Sequence, residues 1–481
     1  MQDPISRRYF LQLAGKISAG FFGLQAVASS ALAAESPAPG QVLGRGYGAL
    51  RTDPKGILNL PKGFSYRIIS QHGTVMDDGF FVPGKPDGMA TFLGPEGKTI
   101  IVRNHELSPE MNDLGAFGEK LELLRAVPKS ALYDFGGGKL PGLGGTTTLV
   151  YDTKTHTVEK EFLSLAGTIR NCAGGPTPWN TWITCEETVL KNVGDLEQTH
   201  GYNFEVPASH IPQLYDPVPL KAMGRFQHEA VAVEPNSGIV YQTEDRHDGV
   251  IYRFLPKVPG KLHKGGKLQA LAIRDRKSFD TRNWAGLKTE RFPKNLPLPV
   301  MWIDVEDVES PDDQLRYQSF EAGAARFARG EGMWYGNEEV FFACTNGGIR
   351  KQGQIFRYVP SPYEGTSREG ERPATLELFI EPNRSRLLEN CDNLTVSPFG
   401  DLMVCEDNLN PRILGVTPSG EIYPFAHNIG FMSEFAGVCF SPDGSTMFVN
   451  IQHANLTFAI TGPFRRPEAQ AWQTFKPSRN K

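Results

Sequence analysis

The chain has 481 residues, with 50 Lys and Arg against 54 Asp and Glu, a formal charge of −4, and 51 Gly, 36 Pro and 6 Cys. A chain this long buries a large core without disulfide staples or a structural metal, and the near balance of charge removes the electrostatic basis for nucleic-acid binding. Apolar residues at 40% and aromatics at 10% exclude global disorder, while the Gly and Pro content demands many turns and therefore many short strands.

At the N-terminus, Ser6-Arg7-Arg8-Tyr9-Phe10-Leu11 heads a mildly apolar stretch from Ile17 to Leu32, and Ala31-Leu32-Ala33 supplies a small-residue cleavage site. This order resembles a twin-arginine export signal, and its Gly, Ala and Ser content makes it a poor permanent membrane anchor. The expected division is a signal peptide over 1–33 and a single β-propeller domain over 34–481, with the twin-arginine export machinery as a partner. The mature chain, at charge −6, is expected in the periplasm or secreted, exported already folded, so that a cofactor is loaded in the cytoplasm. No other apolar run approaches the ~20 residues needed to span a bilayer.

Along the rest of the chain one unit recurs six times: a polar residue, a short apolar strand, a tight turn, a second apolar strand and a polar ending. In chain order the copies are Asp87–Phe92 with Thr99–Glu106, the Cys172 segment with Thr181–Glu187, and Glu229–Val233 with Ile239–Asp245. Glu331–Tyr335 with Val340–Asn346, Asp392–Ser397 with Leu402–Asp407, and Gly437–Ser441 with Thr446–His453 complete the set. Second strand pairs follow, such as Thr146–Tyr151 with Thr157–Phe162 and Arg412–Val416 with Glu421–Phe425. Two hairpins per unit make a four-stranded sheet, so the expected fold is all-β, a six-bladed β-propeller with inserted loops and short helices. The last copy, ending in Leu456–Ile460, lacks its outermost strand, and Phe64–Ser70 is expected to supply it and close the ring. The insert from Pro109 to Pro128 is expected to carry a helix at Leu121–Leu124.

In a hairpin the start of the first strand and the end of the second lie side by side. If each first strand lines the central channel, the polar ends gather on one face: Asp87, Asn104, His105, Glu106, Cys172, Glu186, Glu187, Glu229, Glu244, Asp245, Glu331, Asn346, Asp392, Glu406, Asp407, Gln452 and His453. A lone strand-end acid is ordinarily solvated, but recurrence in five of the six units argues for a shared site. So many carboxylates cannot stay ionised together without cations. Oxygen-rich clusters suit Ca²⁺ or Mg²⁺, and a Cys172 thiolate adds a soft ligand that favours a transition metal. The cysteines fit no CxxC spacing; Cys185, Cys344, Cys405 and Cys439 lie in apolar strand-like runs and read as structural, with Cys391 just before such a run. HExxH and GxSxG patterns are absent, and Gly260–Gly265 breaks off as a phosphate loop. Arg329, in the basic run Arg326–Arg329, is open to a plain surface role.

The segment Asn171-Cys-Ala-Gly-Gly-Pro-Thr-Pro-Trp-Asn-Thr-Trp-Ile-Thr-Cys-Glu-Glu187 closely resembles the signature of PhoX-type alkaline phosphatases, which are bacterial enzymes exported by the twin-arginine route. Gly224–Ala230, Tyr241–Asp245, Arg329–Glu331, Asp392-Asn393 with Ser397-Pro398, and Cys405–Asp407 share the resemblance. It implies a six-bladed propeller holding Fe³⁺ and Ca²⁺ that hydrolyses small phosphomonoesters. It further implies metal ligands at Cys172, Glu187, Glu229 and Glu331, and a phosphate-binding role for Arg329. The expected catalytic set is therefore Arg329, Glu229 and Glu331, with Glu186, Glu106, Glu244, Asp392 and Glu406 as further metal ligands. Two other classes remain open from the residues alone, a Ca²⁺-dependent propeller lactonase or esterase and a non-catalytic Ca²⁺-binding propeller. Neither needs Cys172 or Arg329.

Overall fold

The computed structural model describes residues 46–383 and 386–465. The expected signal peptide at 1–33 and its boundary with the propeller at residue 34 lie outside the described residues.

Six innermost strands, Pro86–Leu93, Asn171–Pro176, His228–Val233, Gly330–Gly336, Cys391–Val396 and Phe435–Phe440, follow one another around an axis, the last lying against the first. Most of their residues are buried, as strands packed on both faces must be. Glycine makes the tight ring possible: a Cβ on Gly88 would lie 2.6 Å from the Ala173 Cα, and one on Gly332 would lie 2.7 Å from that of Asn393. Each inner strand pairs antiparallel with the next strand in sequence, giving the six expected hairpins.

Further strands extend each hairpin outward. Gly144–Asp152 and Thr157–Thr168 complete the first blade. In the last blade, Leu456–Thr461 pairs with Ser65–Gln71, so an N-terminal strand closes the ring as expected. Two departures change the sheet count. The second blade stops at three strands, ending with Asn203–Pro207. Between the third and fourth blades, Leu298–Asp304 pairs on one side with Gly266–Ile273 and on the other with Thr375–Ile380. That strand satisfies both outer edges at once, so six inner hairpins belong to five hydrogen-bonded sheets.

The insert after Pro109 forms 3-10 turns at Asn112–Leu114 and Leu124–Ala126 instead of the expected helix over Leu121–Leu124. Leu121 itself has φ +57°, which a right-handed helix does not accommodate. An α-helix that the sequence pattern did not announce runs over Leu315–Ala322. Apolar side chains fill the spaces between blades; Ile101, Leu149 and Tyr151 of the first blade, for example, meet Cys439, Phe448 and Ala459 of the last. All six cysteines are buried and unpaired. Among the described residues no helix is long and apolar enough to cross a membrane.

Candidate metal centre

Every inner hairpin carries a β-bulge near its axial end, one residue further in for the last hairpin than for the other five. In the first, Pro86 pairs with His105 and Met89 with Arg103, so Asp87 and Gly88 together face one residue. The same slip sets off Cys172-Ala173, Glu229-Ala230, Glu331-Gly332, Asp392-Asn393 and Gly437-Val438. A bulge re-aims a side chain that strand alternation would otherwise send elsewhere. Here it brings one residue of each of five blades, Asp87, Cys172, Glu229, Glu331 and Asp392, to the axial end of its strand, while the last blade has Gly437 at its bulge, one residue further in. Four of these bulges are pinned by the preceding blade, that of Gly437 through its N, which donates to Asn393 Oδ1 at 2.5 Å, and the other three through a carbonyl. Asn104 Nδ2 donates to the Cys172 carbonyl at 3.0 Å, Thr243 Oγ1 to that of Glu331 at 2.7 Å, and Asn450 Nδ2 to that of Asp87 at 2.5 Å.

These side chains assemble into three overlapping groups whose ligand atoms lie within 4.8 Å of one another: Cys172, Glu187 and Glu229; Glu229, Glu331 and Asp392; and Asp392, Asp407 and Glu434. Glu229 and Asp392 are each shared, so the groups adjoin in a row. Burial pushes the carboxyls of Glu229, Glu331, Asp87 and Glu434 well above the usual range, and the charges of their acidic neighbours push them further. Glu187 is pushed up to about 8, chiefly by burial and against the pull of Arg170. Asp392 reaches about 7, through burial and Asp407, against Arg329. The Cys172 thiol is raised well above its ordinary value by burial and then by Glu229 and Glu187. Its hydrogen-bond acceptors are carbonyl oxygens, at 3.4 Å from Sγ for His228, 3.7 Å for Glu229 and 3.8 Å for Cys185. A buried thiol among acids and carbonyls stays protonated unless a cation joins it. The donor set therefore fits metal ions: a thiolate beside carboxylates at one end, carboxylates alone at the other.

Not every expected ligand joins this row. Glu186, Glu244 and Glu406 pair in register with Asn171, His228 and Cys391, one step before the bulge, and their carboxylates are engaged elsewhere. Glu186 accepts from Ile169 N, Gly201 N and His200 Nδ1. Glu244 accepts from Val250 N and lies 3.5 Å from the Arg316 guanidinium. Glu406 holds Arg412 and Glu389 N. Strand alternation explains the separation: in Glu186-Glu187, Glu244-Asp245 and Glu406-Asp407, the second acid turns to the axis and the first turns away. Glu106 sits at the axial position but is held by Arg170 at 2.6 Å and by Gln452 at 2.8 Å.

A tier of cations, which sequence reasoning missed apart from Arg329, stands over the acids. Lys85, Arg170 and Arg329 each immediately precede an inner strand, and each has φ between +44° and +52°. Arg329 places Nε and Nη2 on the two oxygens of Asp245 at 2.8 Å each, and Nη2 on Glu331 at 2.6 Å. Arg170 repeats the arrangement one-third of a turn away, bridging Glu106 of the preceding blade and Glu187 of its own. Lys85 lies 3.8 Å from Glu106. The backbone fixes their equivalence: Glu106 N donates to Lys85 O, Glu187 N to Arg170 O, and Thr345 N to Arg329 O. In the last blade the matching bond joins Gln452 N to Glu434 O, so an acid takes the cation's place there. Counting that blade from Gly437 hides Glu434; aligning its hairpin end with the other five reveals it.

A family model described as alkaline phosphatase PhoX matches residues 45–151 and 139–455. Among solved structures, the chain is similar to Pseudomonas fluorescens PhoX in complex with vanadate, a transition state analogue. The identity is 19%, the alignment covers 85% of this chain and 96% of that one, and the TM-score is 0.61. Weaker likenesses are to a putative gluconolactonase, at 10% identity, 87% and 100% coverage and TM-score 0.39, and to the gluconolactonase XC5397 from Xanthomonas campestris, at 10% identity, 83% and 98% coverage and TM-score 0.35. No curated protein matches the chain. At these identities the structural likeness to the Pseudomonas protein speaks to the fold.

Proposed function

The chain belongs to the PhoX alkaline phosphatase family and is a metal-dependent phosphatase acting on phosphomonoesters, and from that premise we propose that the axial row of acids is its active centre. Cys172, Glu187 and Glu229 are the set that would hold Fe³⁺, because among the described residues only there does a sulfur ligand stand among oxygens. Glu331, Asp392, Asp407 and Glu434 supply oxygen alone, which suits Ca²⁺. Bound metal ions in such a row clamp phosphate oxygens and activate an oxygen nucleophile.

The chain's own contribution is positional. The bulges fix Cys172, Glu229, Glu331 and Asp392 on their strand ends, and blade-to-blade bonds hold the carbonyls of Cys172 and Glu331, which resists relaxation of these ligands when charges repel. Cys172 would give up its thiol proton on binding a metal ion. Arg329 remains charged, since Glu331 and Asp245 hold its guanidinium well above the ordinary range despite burial. Its side chain is 30% exposed, and with Nε and Nη2 engaged by Asp245 and Glu331 it offers Nη1 to a phosphate arriving over the acids. The twin-arginine segment supports export of the folded, loaded protein to the periplasm.

The observation that carries this reading is the sharing of Glu229 and Asp392 between adjacent ligand groups. Elemental analysis of the purified protein, paired with p-nitrophenyl phosphate hydrolysis at alkaline pH, tests it. We expect iron and calcium in the active protein, loss of activity on calcium chelation and recovery on adding Ca²⁺. Full activity in protein depleted of both metals would overturn the assignment.

A further inference from the structure

Beside the axial mouth lies a second feature that the metal centre does not use. Trp284 is half-buried, and its Nε1 donates to Asn346 O at 2.7 Å. Asn346 follows Thr345, whose N donates to Arg329 O; on the other side His247 lies two residues beyond Asp245, the carboxylate that holds Arg329. Asn346 Nδ2 and His247 Nδ1 are 2.8 Å apart, and the His247 ring lies 6.3 Å from that of Trp284. The indole is thus tied to both strand ends that flank Arg329.

What surrounds the indole is unusual for a packing residue. The Arg282 guanidinium lies 4.3 Å from the ring, itself fixed by Asp280 at 2.8 and 2.6 Å and by the His247 carbonyl at 3.1 Å. The Lys351 ammonium, on an exposed side chain, also lies 4.3 Å from the ring. The remaining space is a cavity of about 320 Å³ lined by Trp284, Leu287, Ile349, Arg350 and Lys351. A rigid aromatic ring backed by a fixed cation, next to a cavity and an exposed lysine, presents a stacking surface in positive surroundings. An exposed lysine is held weakly by a ring and yields to a stacked heteroaromatic ring.

Resting on the phosphatase reading, we propose that this shelf receives the alcohol part of the ester and selects phosphomonoesters bearing an aromatic ring several bonds from the phosphate, nucleoside monophosphates being the fitting class. The phosphate meets Arg329 on the axis while the base stacks on Trp284, and Lys351 swings aside. Trp284 acts on substrate selection and takes no part in bond cleavage.

The test uses the full chain loaded with its metals, comparing adenosine 5′-monophosphate with glycerol 3-phosphate. For Trp284→Ala, KM for the nucleotide should rise roughly 10-fold with kcat kept, while glycerol 3-phosphate kinetics stay unchanged. Trp284→Phe, which keeps a ring, should retain most of the nucleotide preference, and it covers the case in which the Ala variant folds poorly. Adenosine alone should compete with the nucleotide on the parent protein and lose that effect in Trp284→Ala. Equal losses on both substrates, or no change on the nucleotide, would refute the shelf and leave the phosphatase standing. Failure of the parent protein to hydrolyse any phosphomonoester would remove the phosphatase reading and the shelf with it.

Discussion

Replacing Arg329 by Lys separates charge from geometry at the mouth of the centre. The backbone tolerates the exchange: φ at this position is +51°, and Lys carries the same unbranched stem as Arg. What changes is the fork. Arg329 makes three hydrogen bonds, two to the separate oxygens of Asp245 and one to Glu331, and a single ammonium cannot span those acceptors and a phosphate together. Losing two charge-assisted contacts, at about 1.5–3 kcal/mol each, and discounting by roughly half for a partly exposed group, gives about 1.5–3 kcal/mol. That corresponds to a loss of roughly 10-fold to 10²-fold in kcat/KM. Steady-state kinetics on p-nitrophenyl phosphate, with metal content measured on the same preparation, provide the readout, and iron and calcium should be retained. Unchanged kinetics, or a loss that merely tracks lost metal, would refute the argument.

Cys172→Ser should still fold and should lose iron and activity together, whereas Cys344→Ser, in an apolar strand, should lower the Tm and keep the metal; iron analysis with thermal melts distinguishes them. Exchanging both Arg7 and Arg8 for Lys should leave the protein in the cytoplasm, as read by cell fractionation, because the twin-arginine route requires the pair. The third concerns His200, buried between Glu186 at 2.6 Å and Asp134 at 3.3 Å. Burial alone would lower its pKa, but the two acids outweigh it and hold it at about 9, above the unfolded value of 6.5. Its stabilising effect is therefore complete below pH 6.5 and is lost as pH rises through 9, by at most about 3 kcal/mol. Thermal melts across that window should show the fall, and His200→Gln should flatten it.

The blade repeat was legible because each hairpin writes the same pattern of polar end, apolar strand and turn, and Asp87, Cys172, Glu229, Glu331 and Asp392 stand where that pattern placed them. Glu186, Glu244 and Glu406 were misplaced because each stands next to an acid that does face the axis. Period-two alternation separates the members of such a pair only once the register is known, and a bulge shifts that register by one residue. Arg170 and Lys85 went unread because a lone cation before a strand has no pattern of its own. Their shared left-handed backbone and their carbonyl bonds to the opposite strand end reveal the equivalence. The joining of the third and fourth blades through Leu298–Asp304 depends on contacts between strands far apart in sequence, which no local pattern encodes.

The pairing of Ser65–Gln71 with Leu456–Thr461 has a consequence for timing. The closing strand is made early and its partner near the end of the described chain, so the ring cannot shut on the ribosome until nearly all of it has emerged. Contacts this distant in sequence form late in folding, because their loop-closure entropy is paid before they are rewarded. Glu434 and Asp87 come from the two blades that meet at this seam, and Gln452 of the last blade donates to Asp87 and Glu106 of the first at 2.6 and 2.8 Å, so the acidic ring around the axis is complete only after the seam is sewn. Ions that bind the finished ring and not the open chain then favour closure by mass action, which makes metal supply during maturation a determinant of how much closed protein accumulates.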